Sequence, residues 1–154
     1  CFKKNSYGLR NENFLKFIDK PLYLHTYEAA KKIKNFNHII LLTDKKIDKI
    51  NSSSNTILAN RPKNLSDKYT AKIDVILYAM KKAERITNIK YDAIVDLDVT
   101  SPLRTAADIK NCIKIFKKKN PFNLFSVNIS RKNPYFNMVE KKNKTYRLIK
   151  NLKK

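Results

Sequence analysis

Short apolar runs alternate with stretches of helical periodicity along this chain, which restricts it to strands crossed by helices. His38-Ile-Ile-Leu-Leu-Thr43 and Ala93-Ile-Val-Asp-Leu97 are the compact runs expected of parallel strands covered on both faces. Thr56-Ile-Leu-Ala59 is a shorter strand of the same kind. Pro21 suits the first turn of a helix reaching about residue 35, with Leu22, Ala29, Ala30 and Ile33 for packing. A long helix is expected over residues 68–86, capped by Ser66 or Asp67 and carrying Ile73, Ile76, Leu77 and Met80 as its apolar stripe. Ile47 and Ile50 suggest a short helix ahead of the loop 51–55. Thr105 and Asp108 have the spacing of a capping box, and Ile109, Cys112, Ile113 and Phe116 continue the buried face behind it, Cys112 as a packed thiol. Phe122–Ile129 reads as a strand, and Phe136–Glu140 with Thr145–Ile149 as a closing hairpin. Strands separated by helices of this length predict an α/β fold: a three-layer, Rossmann-like, mostly parallel sheet with a C-terminal hairpin.

With 154 residues, 42% of them hydrophobic, the chain is read as one domain with a real core. No apolar stretch has the length of a membrane span and no signal peptide is visible, so a cytoplasmic location is expected. Cys1 and Cys112 do not make a disulfide framework. The net charge of +21 comes from 34 Lys+Arg against 13 Asp+Glu. Such a field attracts polyanions. No helix-turn-helix, zinc-ligand spacing or aromatic RNA-binding motif accompanies it, so specific nucleic-acid binding is not expected. A basic nucleic-acid-binding module remains an alternative. The chain begins without Met and stops soon after a predicted strand, and both ends read as cut from something longer.

The densest chemistry lies where the Asp-rich run meets the following helix. Asp96 and Asp98 are two residues apart and so point to the same side of an extended chain. Ligands of open α/β sheets bind outside the carboxyl ends of the strands, where Asp98 is expected, and a carboxylate there suits Mg²⁺ bridging substrate phosphates. Thr100, Ser101 and Arg104 supply donors beside it, and Arg104 has the planar fork that reads phosphate or carboxylate. Read blandly, Thr100 and Ser101 only cap a helix and Arg104 lies on the surface. A second cluster is the opening loop from Lys3 to Asn13, in which Gly8, the sole glycine, would let backbone N–H groups approach phosphate. Its alternative is a charged terminal tail. Arg61-Pro62 with Asp67, Lys72 and Asp74 forms a third cluster, or else an exposed helix face. The loop from Ser130 to Glu140 holds Asn133 and Asn137 and suits a polar ligand such as a sugar, although Tyr135, Phe136 and Met138 would serve equally as hairpin core. His25 is isolated and reads as structural.

Taken together, these segments resemble the acylneuraminate cytidylyltransferase family, the CMP-sugar synthetases of sialic acid-like nonulosonic acids. Asn5-Ser-Tyr-Gly-Leu-Arg-Asn-Glu-Asn13 with Asp19-Lys-Pro-Leu22 resembles the family's nucleotide loop and helix start. Leu41-Leu-Thr-Asp44 resembles its strand ending in Ser-Thr-Asp, and Arg61-Pro-Lys-Asn-Leu-Ser-Asp67 its RPxxL segment. Asp98-Val-Thr-Ser-Pro-Leu-Arg-Thr105 is similar to its TSPLRT segment, and Asn133-Pro-Tyr-Phe-Asn-Met-Val-Glu140 to a later one. The resemblance implies a fold of the nucleotide-diphospho-sugar transferase type and transfer of CMP from CTP to a nonulosonic acid, with release of pyrophosphate and with Mg²⁺ held by Asp98. It implies catalytic roles for Asp98, Lys3 and Arg10, nucleotide binding by Ser6, Gly8, Asn13, Arg61, Ala71 and Lys72, and sugar-acid binding by Thr100, Ser101, Arg104, Asn133 and Asn137. It also implies a homodimer for a full-length protein. Departures are visible too: the family's first apolar strand is absent, Lys3 stands for Arg, Tyr7 for Lys and Glu12 for a triphosphate-facing Lys. A truncated or degenerate paralogue without activity is therefore the alternative within the family.

Overall fold

The computed structural model describes residues 1–2, 9–47, 50, 54–67 and 69–150, and the chain divides into two compact units, Cys1–Lys119 and Asn120–Lys154. In the first unit β1 (Lys16–Phe17) and β2 (Lys20–Pro21) form a small antiparallel hairpin, with Ile18 at φ 62° in its turn. The sequence alone did not suggest it. His25 faces this hairpin, its Nε2 2.8 Å from the Phe17 carbonyl and its ring edge-on to the Phe17 ring. Pro21 leads directly into α1 (Leu22–Lys31), shorter than the helix expected to residue 35. A reverse turn through residues 32–36 then delivers the chain to β3 (Ile39–Thr43), which pairs in parallel with β4 (Thr56–Asn60).

Successive side chains of a strand face opposite ways, and β3 uses both faces. Leu41 joins Phe2, Tyr23 and Tyr27 together with Val99 in one buried cluster, so α1 covers that face. Leu42, with no exposed surface, joins Ala59, Val75 and Ala79, so α2 (Lys72–Thr87) covers the other. The main chain of β3 divides in the same way. Ile39 donates its N–H to the Asn55 carbonyl, and the Thr43 carbonyl accepts from Arg61, so odd-numbered residues serve the β4 edge. The Leu42 carbonyl, of the other parity, accepts from the Phe2 N–H at 3.0 Å.

Several expectations need correction. Residues 93–97 belong to no hydrogen-bonded strand, and Ile94 and Val95 are 47% and 42% exposed. A run of this composition becomes a strand only if a neighbouring edge reaches it, and among the described residues the parallel pairing stops at β3 and β4. Among the described residues the chain is a mixed α/β structure with small sheets, and the expected larger parallel sheet is not seen there. The long helix starts at Lys72 rather than residue 68. Ser66 donates its hydroxyl back to the Pro62 carbonyl and Asp67 accepts from the Tyr69 N–H, so both candidate caps are used up in turns. The buried stripe of α2 is Val75, Ala79 and Ala83, whereas Ile73 and Leu77 face solvent. Small residues allow the helix to approach β3 and β4 closely. α3 (Ala106–Lys119) begins with the expected capping box: Asp108 accepts from both the N–H and the hydroxyl of Thr105, and Thr105 accepts from the Asp108 N–H. Ile109 is buried on it, but Cys112 is exposed rather than packed. Ile47 and Ile50 rest against the Leu41 cluster, while residues 48 and 49 of the short helix expected there lie outside the described residues.

In the second unit β5 (Val139–Lys142) pairs antiparallel with β6 (Thr145–Leu148) around a two-residue turn, in which Asn143 takes φ 56°. This is the expected hairpin with its first strand moved towards the turn, and Asn is one of the residues that tolerates the left-handed region such turns require. Phe122–Ile129 is not a strand. Phe122, Val127 and Ile129 are almost wholly exposed, because within this unit the hairpin leaves them no packed face.

Candidate functional site

Lys72 opens α2, directly after Ala71, and its side chain reaches the Asp-rich segment. Its Nζ lies 2.6 Å from Asp96 Oδ2 and donates to Asp98 Oδ2 at 2.8 Å. The two carboxylates thus point to one side, as their spacing requires, even though no strand is formed. Half the Lys72 side chain and more than half that of Asp98 remain open to solvent, while Asp96 is the more enclosed of the pair. Partial burial pulls the Lys72 ammonium down, but the hydrogen bonds and charges of Asp96 and Asp98 outweigh it, and its pKa stands above the ordinary lysine value.

The Asp98 carbonyl is a hub. It accepts from Arg104 Nη2 at 3.0 Å, from the Ser101 N–H at 3.4 Å and from the Thr26 hydroxyl of α1 at 3.4 Å. These bonds fold the turn 98–104 tightly and tie it to α1. Among the described residues no hydrogen-bond partner meets the buried Arg104 Nη1, a donor held ready for an acceptor. Thr100 and Ser101 are exposed on the turn. The sequence reading singled out Asp98, Lys72, Ser101 and Arg104, and these come together. It did not assign Asp96 or Thr26 to the site. The two-residue spacing of Asp96 and Asp98 was the available signal for the first, and nothing in the sequence marked the second.

Arg61 is buried, and its guanidinium faces inward. Nε and Nη2 both donate to the Leu65 carbonyl, which closes the turn after β4. Burial lowers its pKa and Asp44 partly offsets this. The Cys1 main-chain nitrogen lies within electrostatic reach of Asp96, Lys72, Asp98 and Arg61, which places Arg61 at the margin of the same neighbourhood. Asn13 is buried in a short 3-10 turn, and Arg10 is exposed just before it. Lys3, Ser6 and Gly8 lie outside the described residues.

Asn133 and Asn137 belong to the second unit, where they staple their own loop. The Asn133 side chain accepts from the Tyr135 N–H, Asn137 Oδ1 accepts from the Asn133 N–H, and Asn137 Nδ2 donates to the Arg131 carbonyl. Among the described residues no group of three or more His, Cys, Asp or Glu side chains converges, and no helix is long and apolar enough to cross a membrane.

Comparison with known proteins agrees with the resemblance drawn from the motifs. The chain is 32% identical over 142 residues to a post-translational flagellin modification protein B of Campylobacter coli, covering 91% of this chain and 60% of that protein. It is 31% identical over 147 residues to a CMP-N,N'-diacetyllegionaminic acid synthase of Campylobacter jejuni, covering 93% and 62%. With an N-acylneuraminate cytidylyltransferase of Escherichia coli it shares 29% identity over 132 residues, covering 85% of this chain and 30% of the relative. The chain thus spans about three-fifths of the length of the first two relatives. A cytidylyltransferase family model matches residues 4–152, nearly the whole chain, and the chain belongs to that family.

Proposed function

We propose that this chain carries the nucleotide-handling part of an enzyme that transfers CMP from CTP to a nonulosonic, sialic acid-like sugar acid, with release of pyrophosphate. The observation that carries the reading is the convergence of Lys72, Asp96, Asp98 and Arg104 around one turn. Two of the relatives bear names that specify CMP-sugar synthesis or cytidylyl transfer on acids of this kind.

Two hard carboxylates that already share one cation fit Mg²⁺, which takes one or two protein carboxylates and fills its remaining positions with phosphate oxygens and water. Asp98, with Asp96 beside it, would hold the ion, and the ion would neutralise triphosphate charge. Phosphoryl-type transfer needs alignment and electrostatic stabilisation more than covalent help. Lys72 then serves twice: it keeps the carboxylates at one place and adds a positive charge where the triphosphate would lie. Arg104, with one donor unspent, would meet phosphate or the sugar carboxylate. Thr100 and Ser101 stand on the same exposed turn. Lys3, Ser6, Gly8 and Arg10 of the opening loop would cradle phosphates, with Asn13, Arg61 and Ala71 nearer the nucleoside. Asn133 and Asn137 would contribute to the sugar acid, and the complete enzyme would be a homodimer.

Calorimetric titration of the purified chain with CTP, with and without MgCl₂, tests this. Mg²⁺-dependent binding is expected, weakened by about tenfold or more, 1.4 kcal/mol, in Asp98→Asn. Equal affinity of both proteins, or indifference to Mg²⁺, would refute the role of Asp98. A nucleotide-binding chain that has lost turnover is the second reading. Glu12 favours it by setting an acid in the segment that would face the triphosphate. Binding of CTP without pyrophosphate release by an otherwise complete protein would support it.

A further inference from the structure

Four lysines of α3 share one flank of that helix. Successive helical residues turn by about 100°, which puts Lys110, Lys114, Lys117 and Lys118 within an arc of about 100° beside the stripe of Ile109 and Ile113. The one acid of α3, Asp108, falls on the opposite flank and is bonded to Thr105. Among the described residues no carboxylate pairs with any of the four, whereas Lys20, Lys72 and Lys90 are each held by one. The negative end of the helix accounts for Lys117 and Lys118 in its last turn, but not for Lys110 and Lys114. Like charges three and four residues apart repel, and an anion lying along the row would relieve that repulsion.

The row borders a groove of about 590 Å³ within the first unit. Ile33 and Asn35, from the turn after α1, and Ile113 complete its lining. Ile33 is buried and Ile113 half-buried, so the apolar part is recessed, while the lysines and the Asn35 amide are exposed. Lys32 and Lys34, also exposed, belong to the same turn as Asn35 and add to the positive field. None of the lining residues belongs to the site of Lys72, Asp96, Asp98 and Arg104.

We propose that this groove binds the phosphate backbone of a single-stranded nucleic acid, without regard to its sequence. Lys110, Lys114 and Lys118 follow one another at a rise of about 6 Å along the helix axis. A row of evenly spaced cations suits an anion that repeats its charge along a chain, whereas a lone phosphate would engage one lysine and leave the others repelling. A flexible strand can enter a concave site and present its phosphates to the lysines, with Asn35 free to donate to phosphate or sugar oxygen. An anionic bilayer fits less well, because a helix that lies on a membrane turns its apolar stripe outward, and Ile109 is buried. Among the described residues no aromatic ring lines the groove, so bases find no stacking platform and binding should be electrostatic and steeply salt-dependent. The proposal does not depend on the cytidylyl-transfer reading.

The test measures binding of a fluorescein-labelled oligothymidylate of about 20 nucleotides, longer than one site, by fluorescence anisotropy across a salt series. Two variants of equal charge are compared with the wild type. One changes Lys110, Lys114, Lys117 and Lys118 to Gln, and the other changes Lys63, Lys81, Lys141 and Lys144, exposed elsewhere on the chain, to Gln. The groove variant is expected to bind at least about tenfold more weakly at low salt, and its salt slope should fall by about 2–3, at about 0.7 for each phosphate released. The control variant should keep the wild-type slope. Equal losses in both variants would mean that net charge alone acts and would overturn the proposal, as would undiminished binding by the groove variant. Capture of the chain by phosphatidylserine vesicles through the same four lysines, with the oligonucleotide left unbound, would overturn it in favour of a bilayer. Loss of CTP affinity in the groove variant would overturn it by assigning these lysines to the nucleotide site. In the wild type, amide signals of residues 110–118 should shift on titration with the oligonucleotide while those of the β5–β6 hairpin stay in place, and the reverse would overturn the assignment without any variant.

Discussion

Lys72 Nζ donates to Asp98 Oδ2 over 2.8 Å, joining the first residue of α2 to a turn 26 positions further along the chain. The same ammonium holds Asp96 at 2.6 Å. Because both acids reach it from one short segment, a single cation sets the direction of two carboxylates. Lys72→Met should leave them repelling each other at a cost of about 0.5–1 kcal/mol, the scale of half-exposed ion pairs. Urea denaturation of the two proteins at neutral pH measures that difference.

The pH dependence of that difference has a definite sign. The folded-state pKa of Lys72 is raised: burial opposes the charge, but the bonds and charges of Asp96 and Asp98 prevail. The contribution is therefore complete below the unfolded lysine value of about 10.4 and fades as pH rises through the higher folded value. Denaturation midpoints of the wild type and Lys72→Met should stay a constant distance apart from pH 7 to 10 and converge above that. Convergence on acidification alone, in that same range, would contradict the assignment.

Thr105 and Asp108 cap α3 reciprocally. Thr105→Ala should cost about 1 kcal/mol. The Asp108 carboxyl is held below its ordinary range, first by the Thr105 hydroxyl and then by the Thr105 N–H. Its contribution is present above the unfolded carboxylate value and is lost as pH falls through the depressed folded value. Asp108→Asn should accordingly narrow the acid limb of the stability profile, as read by circular dichroism.

Ile18 takes a left-handed backbone conformation although it is β-branched and 77% exposed. Left-handed geometry costs an L-residue with a Cβ about 1–2 kcal/mol, so Ile18→Gly should stabilise the first unit by about 1 kcal/mol despite the added freedom of the unfolded chain. A raised Tm checks this. An unchanged or lower Tm would mean that Ile18 makes contacts worth more than the strain.

Leu42 is the one described side chain with no exposed surface. Leu42→Ala should destabilise by about 2–5 kcal/mol, through lost transfer energy and the cavity left beside Val75 and Ala79. Leu58→Ala, half-exposed on the adjoining strand, should cost far less.

What the sequence revealed and what it hid divide along physical lines. β3, β4, the capping box and the Asn143 turn depend on local pattern and chemistry, and all were readable. So was the shared direction of Asp96 and Asp98, which follows from the geometry of any extended chain. Residues 93–97 were misjudged because apolar composition states a demand for burial without naming the neighbour that meets it. The α2 stripe was misplaced because Ile73 and Leu77 weigh more in a hydrophobicity count than Ala79 and Ala83, although close approach to a sheet favours the small residues. Ser66 and Asp67 had cap chemistry but spent it on turns just upstream. Motif order identified the family with few residues, whereas Thr26, which fastens the Asp98 carbonyl to α1, belongs to no motif and emerged only from the coordinates.

Leu41 and Leu42 are bonded neighbours that answer to different helices. Changes at 41 must be accommodated by aromatic rings, and changes at 42 by alanines and a valine. Adjacent positions can therefore drift under separate steric rules, and a double substitution there should behave as the simple sum of its parts.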